Sequence, residues 1–448
     1  MNVLIIFSDQ QHKYALGSVT PQFHTPNLDT LCEEGFLFEN AYSPNPVCGP
    51  YRGCLLTGAY TSHCGVFRNG DPLPTHMPSL AALLQQNGYE TGFVGKWHLG
   101  DHVSAPIPVS LRGGFAHFRG YQCHNGFEPK APFNNDVTFY DEQETPHRYD
   151  KHRTEVTTDL AVEQLTTLVA SGKPFFQLVS YQAPHYPEQP SAPFDTLYDG
   201  VTFPKSPDYQ PVEPFTPTYS PPSPRPFEKD PDYQRYGGNM DAYQRLYAGM
   251  VSQVDAGVGR LLDALRQLGI YEDTLILFTS DHGDMQGSHG LKNKNVSYEQ
   301  SCGVPFLVRY PGGPRGIRSA ELVSALDIFP TVTELAGLPQ IPCDGRSLLP
   351  LLQQKAYPSA PYVIAEGTDF PTSDRRWRMI RDTRYKLTVS YDTYEPFSLF
   401  DLEADPHEMQ DLKCCPDLAP QIQAMTRQLQ SVMEPFSLED PQFATVTS

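Results

Sequence analysis

The sequence predicts an α/β fold in which helices flank a large mixed, mostly parallel sheet, followed by a smaller C-terminal α+β subdomain built on an antiparallel sheet. Two observations lead to this prediction. Apolar runs bounded by turn residues alternate with helical patterns over most of the chain, whereas short alternating runs follow Pro350. We therefore expect a large domain at residues 1–350 and a subdomain at residues 351–448.

Five apolar runs are expected to form buried strands of the main sheet, at residues 3–7, 91–94, 175–181, 274–279 and 304–309. Continuous apolar runs of this length are typical of parallel strands that are covered on both faces. Residues 79–86 and 246–268 carry apolar side chains at helical spacing, and a glycine closely follows each segment. The alternation of the two patterns favours a mostly parallel sheet.

Two further regions complete the predicted organisation. Prolines recur every few residues between Pro184 and Pro231, which favours a long ordered loop that walls a pocket. Beyond residue 350 we expect four short strands and a closing helix, at residues 362–365, 377–381, 385–389, 398–400 and 418–433.

The overall charge and the cysteines narrow the class of protein. With 33 Lys and Arg against 52 Asp and Glu, the net charge of −19 repels nucleic acid and anionic membranes. No segment approaches the roughly 20 consecutive apolar residues that span a bilayer. Nine irregularly spaced cysteines do not predict a disulfide framework, and the short apolar start differs from a signal peptide. We therefore expect a cytoplasmic protein.

Residues able to bind metals or anions follow four of the predicted strands. They are Asp9, Gln10, Lys96, His98, His185, Asp281 and His282. In an open parallel sheet, ligands bind beyond the carboxyl ends of the strands, so side chains remote in sequence converge there. Each residue alone is a weak signal, but their shared placement predicts one site.

Asp9, Gln10, Asp281 and His282 together offer two carboxylates, an amide oxygen and an imidazole. Oxygen ligands favour Ca²⁺, Mg²⁺ or Mn²⁺, and the imidazole favours Mn²⁺ among these. The alternative is that the two aspartates cap helices that follow them. Capping does not explain two consecutive ligand-type residues at both places.

Cys48 has surroundings that set it apart from Cys54 and Cys64. Pro50 suits the first turn of a helix, so Cys48 is expected at a positive helix end with Arg52 one turn further on. A thiolate would be stabilised there. The alternative is a buried structural cysteine, and we expect that role for Cys54 and Cys64.

A basic run stands out in the acidic C-terminal region, comprising Arg375, Arg376, Trp377, Arg378 and Arg381. Such a run is more often the solvated face of a hairpin. The alternative is a positive rim that admits an anionic substrate, with Trp377 stacking on a sugar.

Cys48-x-Pro50-x-Arg52, followed by Leu56-Thr57-Gly58, resembles the signature of the type I sulfatases, the formylglycine-dependent family of the alkaline phosphatase superfamily. Further short matches follow in the family's order over nearly the whole chain, including residues 95–100, 281–283 and 399–402. The resemblance implies an alkaline phosphatase/sulfatase-like fold, with residues 1–350 as the catalytic domain.

The resemblance also implies a role for each site residue. A formylglycine-generating enzyme would oxidise Cys48 to formylglycine, whose hydrate is the nucleophile and one metal ligand. The other metal ligands would be Asp9, Gln10, Asp281 and His282, around one divalent ion, with Ca²⁺ expected and Mn²⁺ or Mg²⁺ as alternatives. The remaining roles are implied for Arg52 (holding the hydrate), Lys96 and Lys294 (binding sulfate oxygens), His98 (base) and His185 (near the leaving oxygen).

Gln10 and His282 depart from the commonest pattern of the family, which has Asp and Asn at these positions. Their combination resembles the phosphonate monoester hydrolase branch of the superfamily. We expect a hydrolase of small organic or sugar sulfate esters. The alternatives are a phosphonate monoester or phosphodiester hydrolase with the same nucleophile, and a catalytically silent metal-binding homologue in which Cys48 stays a thiol.

Overall fold

A computed structural model describes residues 1–100, 105–123, 137–209, 239–370 and 372–434, with the backbone alone of 135–136, 214–215 and 225–226. Its strands are β1 (Asn2–Asp9), β2 (Phe36–Tyr42), β3 (Glu90–Lys96), β4 (His117–Tyr121), β5 (Asn135–Tyr140), β6 (Pro146–His152), β7 (Phe175–Pro184), β8 (Pro214–Phe215), β9 (Arg225–Pro226), β10 (Thr274–Ser280), β11 (Phe306–Arg309), β12 (Ile317–Ser324), β13 (Val363–Gly367), β14 (Trp377–Arg381), β15 (Tyr385–Ser390) and β16 (Pro396–Asp401).

The main sheet of the described structure has ten strands in the order β12-β2-β11-β10-β1-β7-β3-β4-β5-β6. Its central strands β10, β1, β7, β3 and β4 all run parallel. β11 was expected to be parallel as well, but it pairs antiparallel with β10 and β2. The apolar run of β11 indicates that both faces of the strand are buried, but it does not indicate whether the strand is parallel or antiparallel to its neighbours. The predicted mixed, mostly parallel sheet is confirmed.

Helices cover both faces of this sheet. They are α1 (Pro26–Glu34), α2 (Cys48–Thr57), α3 (Thr61–Cys64), α4 (Leu80–Gln86), α5 (Arg153–Ala170), α6 (Met240–Gln267), α7 (Glu299–Cys302), α8 (Ile328–Leu335), α9 (Leu349–Leu352) and α10 (Ala419–Val432). None of the described helices is long and apolar enough to cross a membrane.

Alternate residues of β1 point into two separate apolar cores. Val3, Ile5 and Phe7 pack with residues of α2, α4 and α8, whereas Leu4 and Ile6 pack with residues of α1, α5 and α6. This division explains why the strand is apolar at every position from Val3 to Phe7 instead of alternating. A sheet covered on both faces leaves its edges and strand ends as the places for polar chemistry.

The C-terminal region forms the predicted antiparallel sheet, with strands in the order β13-β14-β15-β16, and α10 closes it. Buried polar contacts join it to the segment that precedes and includes α7. Lys386 on β15 is fully buried and its Nζ lies 3.0 Å from Glu299 Oε1. Trp377 Nε1 on β14 donates to the carbonyl oxygen of Asn295 at 3.1 Å. The domain boundary near residue 350 stays a prediction.

Trp377, Arg378 and Arg381 of the basic run form neither a solvated face nor a positive rim, whereas Arg375 and Arg376 are partly exposed and the rim stays a prediction for them. Trp377 is 4% exposed, so its ring is not available to stack on a sugar. Arg378 donates to Glu366 Oε1 at 3.1 Å, and Arg381 bonds Tyr42 and Asn40 inside the protein. Both arginines are largely buried, and their carboxylate or hydroxyl partners offset the cost of burying the charge.

The proline-rich loop is described only in its first part, residues 184–209, and most of the remainder to Pro231 lies outside the described residues. The described part packs onto α6, where Tyr198 Oη and Ser252 Oγ are 2.6 Å apart. Nine cysteines, all within the described residues, are free. Cys54 and Cys64 are buried, as expected for structural cysteines.

Candidate active site

The carboxyl ends of four central strands meet at one edge of the main sheet. β1 and β10 run parallel in a register that pairs Ser8 with Ser280, so Asp9 lies beside Asp281. On its other side, β1 pairs with β7 through a bulge that aligns Asp9 with Pro184. This topology gathers the strand-end side chains that the sequence placed in one site.

Gly95 lets β3 approach β7 closely enough to bring Lys96 into this group. A Cβ at Gly95 would lie 1.9 Å from the carbonyl oxygen of Ser180, and its φ of 117° disfavours other residues. Lys96 follows and is fully buried, and its Nζ donates to Asp9 Oδ2 at 2.7 Å. A buried ammonium therefore lies against the first carboxylate of the site.

The carboxyl groups of Asp9 and Asp281 have opposite pKa shifts. Burial disfavours the charge of Asp9, but Lys96, the neighbouring histidines and Arg52 hold its pKa well below the usual range. Burial and the nearby Asp9 carboxylate raise the pKa of Asp281 to about 7. Two carboxylates this close share a demand for positive charge, as a divalent cation would provide.

Arg52 joins α2 to the strand ends. Its Nη2 lies 3.2 Å from Asp9 Oδ2 and 3.4 Å from Asp281 Oδ2. Its Nη1 donates to the carbonyl oxygen of Lys96 at 2.5 Å and to Ser180 Oγ at 2.6 Å. At 2% exposed, the guanidinium is a fixed positive group between two strands and the helix.

Cys48 is the first residue of α2, so the predicted helix start is confirmed. Its Sγ lies 3.3 Å from His282 Nε2 and 3.5 Å from Asp9 Oδ1. The expectation of a stabilised thiolate is wrong, because burial and Asp9 raise the pKa of the thiol to about 12. Desolvation and a neighbouring carboxylate outweigh the helix end.

Four of the predicted metal-site residues form one compact donor group. The ligand atoms of Asp9, Cys48, Asp281 and His282 all lie within 4.8 Å of one another, and all four residues are buried. Ligands about 2.4 Å from a central ion are at most about 4.8 Å apart, so the spacing fits a divalent cation. The Cys48 sulfur is one of the four ligand atoms of this group.

Gln10 lies beside this donor group, and its backbone adopts a strained conformation with a φ of 73°. Its Oε1 accepts a hydrogen bond from Lys294 Nζ at 2.7 Å, and its Nε2 donates to Asn293 Oδ1 at 3.2 Å. Positive φ is uncommon outside glycine and often marks functional residues. The amide oxygen is therefore directed toward the charged part of the site.

Lys294 and His185 form a pair opposite the carboxylates. Lys294 Nζ lies 2.8 Å from His185 Nε2, and His185 Nδ1 lies 3.0 Å from the carbonyl oxygen of Tyr186. A carbonyl only accepts, so Nδ1 carries the proton and Nε2 accepts from Lys294. Burial and Lys294 hold the pKa of His185 well below its usual range, which agrees with a neutral ring.

His98 is buried beside the first turn of α2. Its carbonyl oxygen is 3.2 Å from the position of a Cβ on Gly49, the residue after Cys48, and its φ is 55°. Asn69 Oδ1 accepts from Gly49 N at 2.8 Å, which supplies a partner for this end of the helix. The structure thus brings all the residues predicted for the site to one edge of the sheet.

Capping does not account for the two aspartates. The first described helix after Asp9 begins at Pro26, and the first after Asp281 begins at Glu299. Neither carboxylate is close enough in sequence to cap these helices. Helix capping is therefore excluded for both aspartates, and the metal-site interpretation remains.

Three supporting side chains, those of Ser180, Asp284 and Tyr243, could not be identified from the sequence. Ser180 accepts from Arg52 within β7, where a small polar residue between Val179 and Tyr181 was the available signal. Asp284 accepts from Tyr243 Oη at 2.6 Å and also hydrogen-bonds Gln10. Nothing in the sequence pattern connects Tyr243, on α6, to the loop that follows β10.

Comparisons with known proteins agree with this architecture. The profile of the family described as Sulfatase matches residues 1–338. A second profile, N-sulphoglucosamine sulphohydrolase, C-terminal, matches residues 287–435. The chain is 29% identical over 440 residues to the ulvan-active sulfatase of Formosa agariphila, covering 92% of this chain and 76% of that protein.

Solved structures share the fold over almost the whole length. A complex with D-glucosamine-2-N,6-O-disulfate as substrate has a TM-score of 0.82 at 24% identity, covering 98% of this chain and 99% of that one. The phosphonate monoester hydrolase of Silicibacter pomeroyi has a TM-score of 0.78 at 26% identity, covering 96% and 94%. Because the Sulfatase profile matches most of the chain, the protein belongs to the sulfatase family of the alkaline phosphatase superfamily and is a sulfatase.

Proposed function

We propose that the protein hydrolyses a small organic or sugar sulfate monoester, with an oxidised Cys48 as its nucleophile. One observation carries the proposal: the Cys48 side chain lies inside the donor group, 3.3 Å from His282 and 3.5 Å from Asp9. Oxidation by a formylglycine-generating enzyme would give an aldehyde whose hydrate supplies the attacking oxygen and a second hydroxyl for release of sulfate.

The proposed metal site consists of Asp9, Gln10, Asp281, His282 and the oxidised Cys48. A bound divalent ion would supply positive charge that activates the nucleophile and neutralises a sulfate oxygen. Two carboxylates, an amide oxygen and an imidazole support Ca²⁺, with Mn²⁺ or Mg²⁺ as alternatives. The raised pKa of Asp281 agrees with a carboxylate that needs this partner.

The charges of the site support an anionic substrate. Arg52, Lys96 and Lys294 supply three positive charges against the two carboxylates of Asp9 and Asp281. Lys96 and Lys294 would bind the sulfate oxygens, and Arg52 would hold the hydrated nucleophile. These groups are buried and already fixed, so they stabilise charge with little reorganisation.

Protonation of the leaving alcohol is proposed for Lys294. His185 Nδ1 is committed to the carbonyl of Tyr186, and its Nε2 accepts from Lys294 Nζ at 2.8 Å. The proton available at this contact therefore belongs to Lys294, while His185 orients it. His98, beside the first turn of α2, is proposed as the base for the second half of the reaction.

A phosphonate monoester or phosphodiester hydrolase is the second candidate. The combination of Gln10 and His282, which resembles the metal ligands of the phosphonate monoester hydrolase branch, supports this candidate. The similarity to a phosphonate monoester hydrolase, at 26% identity, supports the same alternative. The sugar-sulfate proposal takes its support from the ulvan-active relative and from the glucosamine disulfate complex.

Matched esters test the proposal. The enzyme, purified after coexpression with a formylglycine-generating enzyme, is assayed on p-nitrophenyl sulfate, bis-p-nitrophenyl phosphate and p-nitrophenyl phenylphosphonate. We expect the sulfate to have the largest kcat/KM, and sulfated monosaccharides then define the alcohol. A preference for either phosphorus ester by about tenfold or more would favour the second candidate.

Intact mass of the Cys48 peptide tests the nucleophile separately. Conversion of the thiol to the aldehyde lowers the mass by about 18 Da. An unshifted peptide from a competent host, together with no turnover, would support the silent metal-binding alternative. The nine free cysteines agree with the proposed cytoplasmic location, which cell fractionation tests.

A further inference from the structure

Asp9 and Gln10 are consecutive in the chain, although both are proposed as ligands of one ion. Successive side chains of an extended strand point to opposite faces, so an unbroken strand would direct only one of the two toward the ion. β1 ends at Asp9, and Gln10 has a φ of 73°, in the left-handed region. Its N–H donates to Asp281 Oδ1 at 3.0 Å, and its Oε1 accepts from Lys294 Nζ at 2.7 Å. The backbone conformation of Gln10 is therefore what turns this residue into the site.

This conformation needs support from the rest of the protein. Residues other than glycine rarely adopt the left-handed region, and a chain that leaves the sheet loses its ladder partners. Buried N–H and C=O groups then require other partners. Side chains beyond the end of β10 and at its last residue supply two of them, since Gln10 N donates to Asp281 Oδ1 and Gln11 N donates to Ser280 Oγ at 2.9 Å.

The hydroxyl of Tyr247, on α6, binds the next two backbone groups. Tyr247 Oη donates to the carbonyl oxygen of Gln10 at 2.8 Å and accepts from His12 N at 3.1 Å. A carbonyl oxygen only accepts and an amide N–H only donates, so the hydroxyl makes one hydrogen bond of each kind. One atom of α6 thus fixes the backbone on both sides of Gln11.

Tyr247 is held rigidly where it makes these contacts. The residue is 0% exposed, and its ring stacks on that of His12, with centroids 5.5 Å apart and an angle of 3° between the planes. It packs in an apolar cluster that includes Ala15 and Val251. A fully buried hydroxyl cannot touch a substrate. Any influence of Tyr247 on the reaction has to pass through the backbone groups that it binds.

The same helix also reaches the side chain of Gln10. Tyr243 lies one turn before Tyr247, and its Oη donates to Asp284 Oδ2 at 2.6 Å. Asp284 in turn hydrogen-bonds the Gln10 side chain. α6 therefore supports Gln10 at its backbone through Tyr247 and at its amide through Asp284.

We propose that Tyr247 is a positioning residue of the metal site, whose hydroxyl holds Gln10 in the backbone conformation that lets its amide bind a divalent ion together with Asp9. This inference rests on the metal site proposed above. Without the hydroxyl, the carbonyl of Gln10 and the N–H of His12 would be buried without this partner. The segment would then populate other conformations, and the measured metal affinity would fall with the fraction of molecules that keep Gln10 in place.

Calorimetric titration with Mn²⁺ and with Ca²⁺ tests the proposal on the enzyme purified as for the ester assays. Tyr198→Phe is the matched control for Tyr247→Phe, because the two tyrosines belong to the same apolar cluster. Tyr198 Oη also has two buried partners, accepting from His24 N at 2.7 Å and lying 2.6 Å from Ser252 Oγ on α6. Both substitutions should lower the urea midpoint. We expect Tyr247→Phe alone to weaken metal binding, by about tenfold or more, and Tyr198→Phe to change it by less than about twofold.

A double variant tests the route through Gln10. Gln10→Ala lacks the amide ligand, so the addition of Tyr247→Phe should not weaken metal binding further. A further loss of about tenfold in that background would overturn the proposal. So would wild-type metal affinity in Tyr247→Phe, or equal weakening in Tyr247→Phe and Tyr198→Phe, which would reflect a general loss of stability.

The wild type separates failure of this inference from failure of the site. Absence of metal binding by the wild type would refute the metal site itself and the role of Tyr247 with it. Binding by the wild type that Tyr247→Phe leaves unchanged would refute the role of Tyr247 alone. None of these measurements uses turnover, so they do not depend on whether the ester is a sulfate or a phosphorus compound.

Discussion

Replacement of Arg52 by methionine tests how far burial controls the energetics of this site. The guanidinium lies 3.2 Å from Asp9 and 3.4 Å from Asp281, with 2% of the residue exposed. At an effective dielectric constant of about 20, each contact is worth about 5 kcal/mol of direct attraction. Desolvation offsets much of this, and Lys96 still faces Asp9, so the net cost of removing the charge is about 3–5 kcal/mol.

The control is an ion pair of shorter length at the surface. Arg318 Nη2 lies 2.9 Å from Glu39, but the two side chains are 51% and 43% exposed. Water and salt screen such a pair, so Arg318→Met should cost about 1 kcal/mol or less. If distance alone decided the energy, the control would be the more costly substitution.

Urea unfolding followed by circular dichroism measures both variants, with and without added Ca²⁺ or Mn²⁺. We expect the deficit of Arg52→Met to shrink when the metal is present, because a divalent ion supplies charge to the same two carboxylates. Equal losses in Arg52→Met and Arg318→Met would refute the burial argument. If the loss of unfolding free energy in Arg52→Met is the same with and without divalent metal, the metal site at Asp9 and Asp281 is refuted.

Three further predictions address other parts of the molecule. Cys48→Ser should lower aryl sulfate turnover by at least about a hundredfold, because a serine ester lacks the second hydroxyl, and intact mass should detect the retained sulfate. Wild-type turnover in this variant would contradict the proposed nucleophile. Asp284→Ala should weaken Mn²⁺ binding about 10–100-fold by calorimetry, since Gln10 loses an orienting partner, and an unchanged affinity would remove that role. Burial alone lowers the pKa of His63, but the Asp344 carboxylate 2.8 Å away raises it above its usual range. That stabilisation is complete below the ordinary pKa of about 6.5 and is lost as pH rises through the raised pKa. The urea midpoint of His63→Gln should therefore fall further below wild type at pH 6 than at pH 9, and equal differences would contradict the assignment.

The strands of the main sheet were predictable where their burial was uniform. β1, β7 and β10 are buried on both faces, and each contains a run of consecutive apolar residues that is visible in the sequence. β2 and the helix α5 were not predicted. Glu39 and Asn40 interrupt the apolar run of β2, and five threonines weaken the helical pattern of α5. Strand direction, as in β11, depends on connections that local periodicity does not contain.

The site was predictable in part from the positions of polar residues relative to strands. That argument gathered Asp9, Lys96, His185 and Asp281, which the parallel register does bring together. The role of Cys48 needed the family resemblance, because an isolated cysteine is most often structural. The predicted acidity of the Cys48 thiol was wrong. Its position at the start of a helix is visible in the sequence, but its complete burial beside Asp9, which raises the pKa of the thiol, depends on the tertiary structure.

The contacts between the C-terminal sheet and the segment that leads into α7 mean that the loop carrying Lys294 is held in place from outside the main sheet. Trp377 holds the carbonyl of Asn295, one residue after Lys294, and Lys386 neutralises the buried Glu299 a few residues on. A chain shortened before β13 would leave Glu299 with Lys13 but without Lys386, and would remove the contact of Trp377 with Asn295. The C-terminal sheet therefore cannot be removed or replaced without changing contacts of the loop that carries Lys294. Substitutions on β14 or β15 that displace Asn295 or Glu299 should therefore alter the turnover proposed for Lys294, although neither strand carries a proposed site residue.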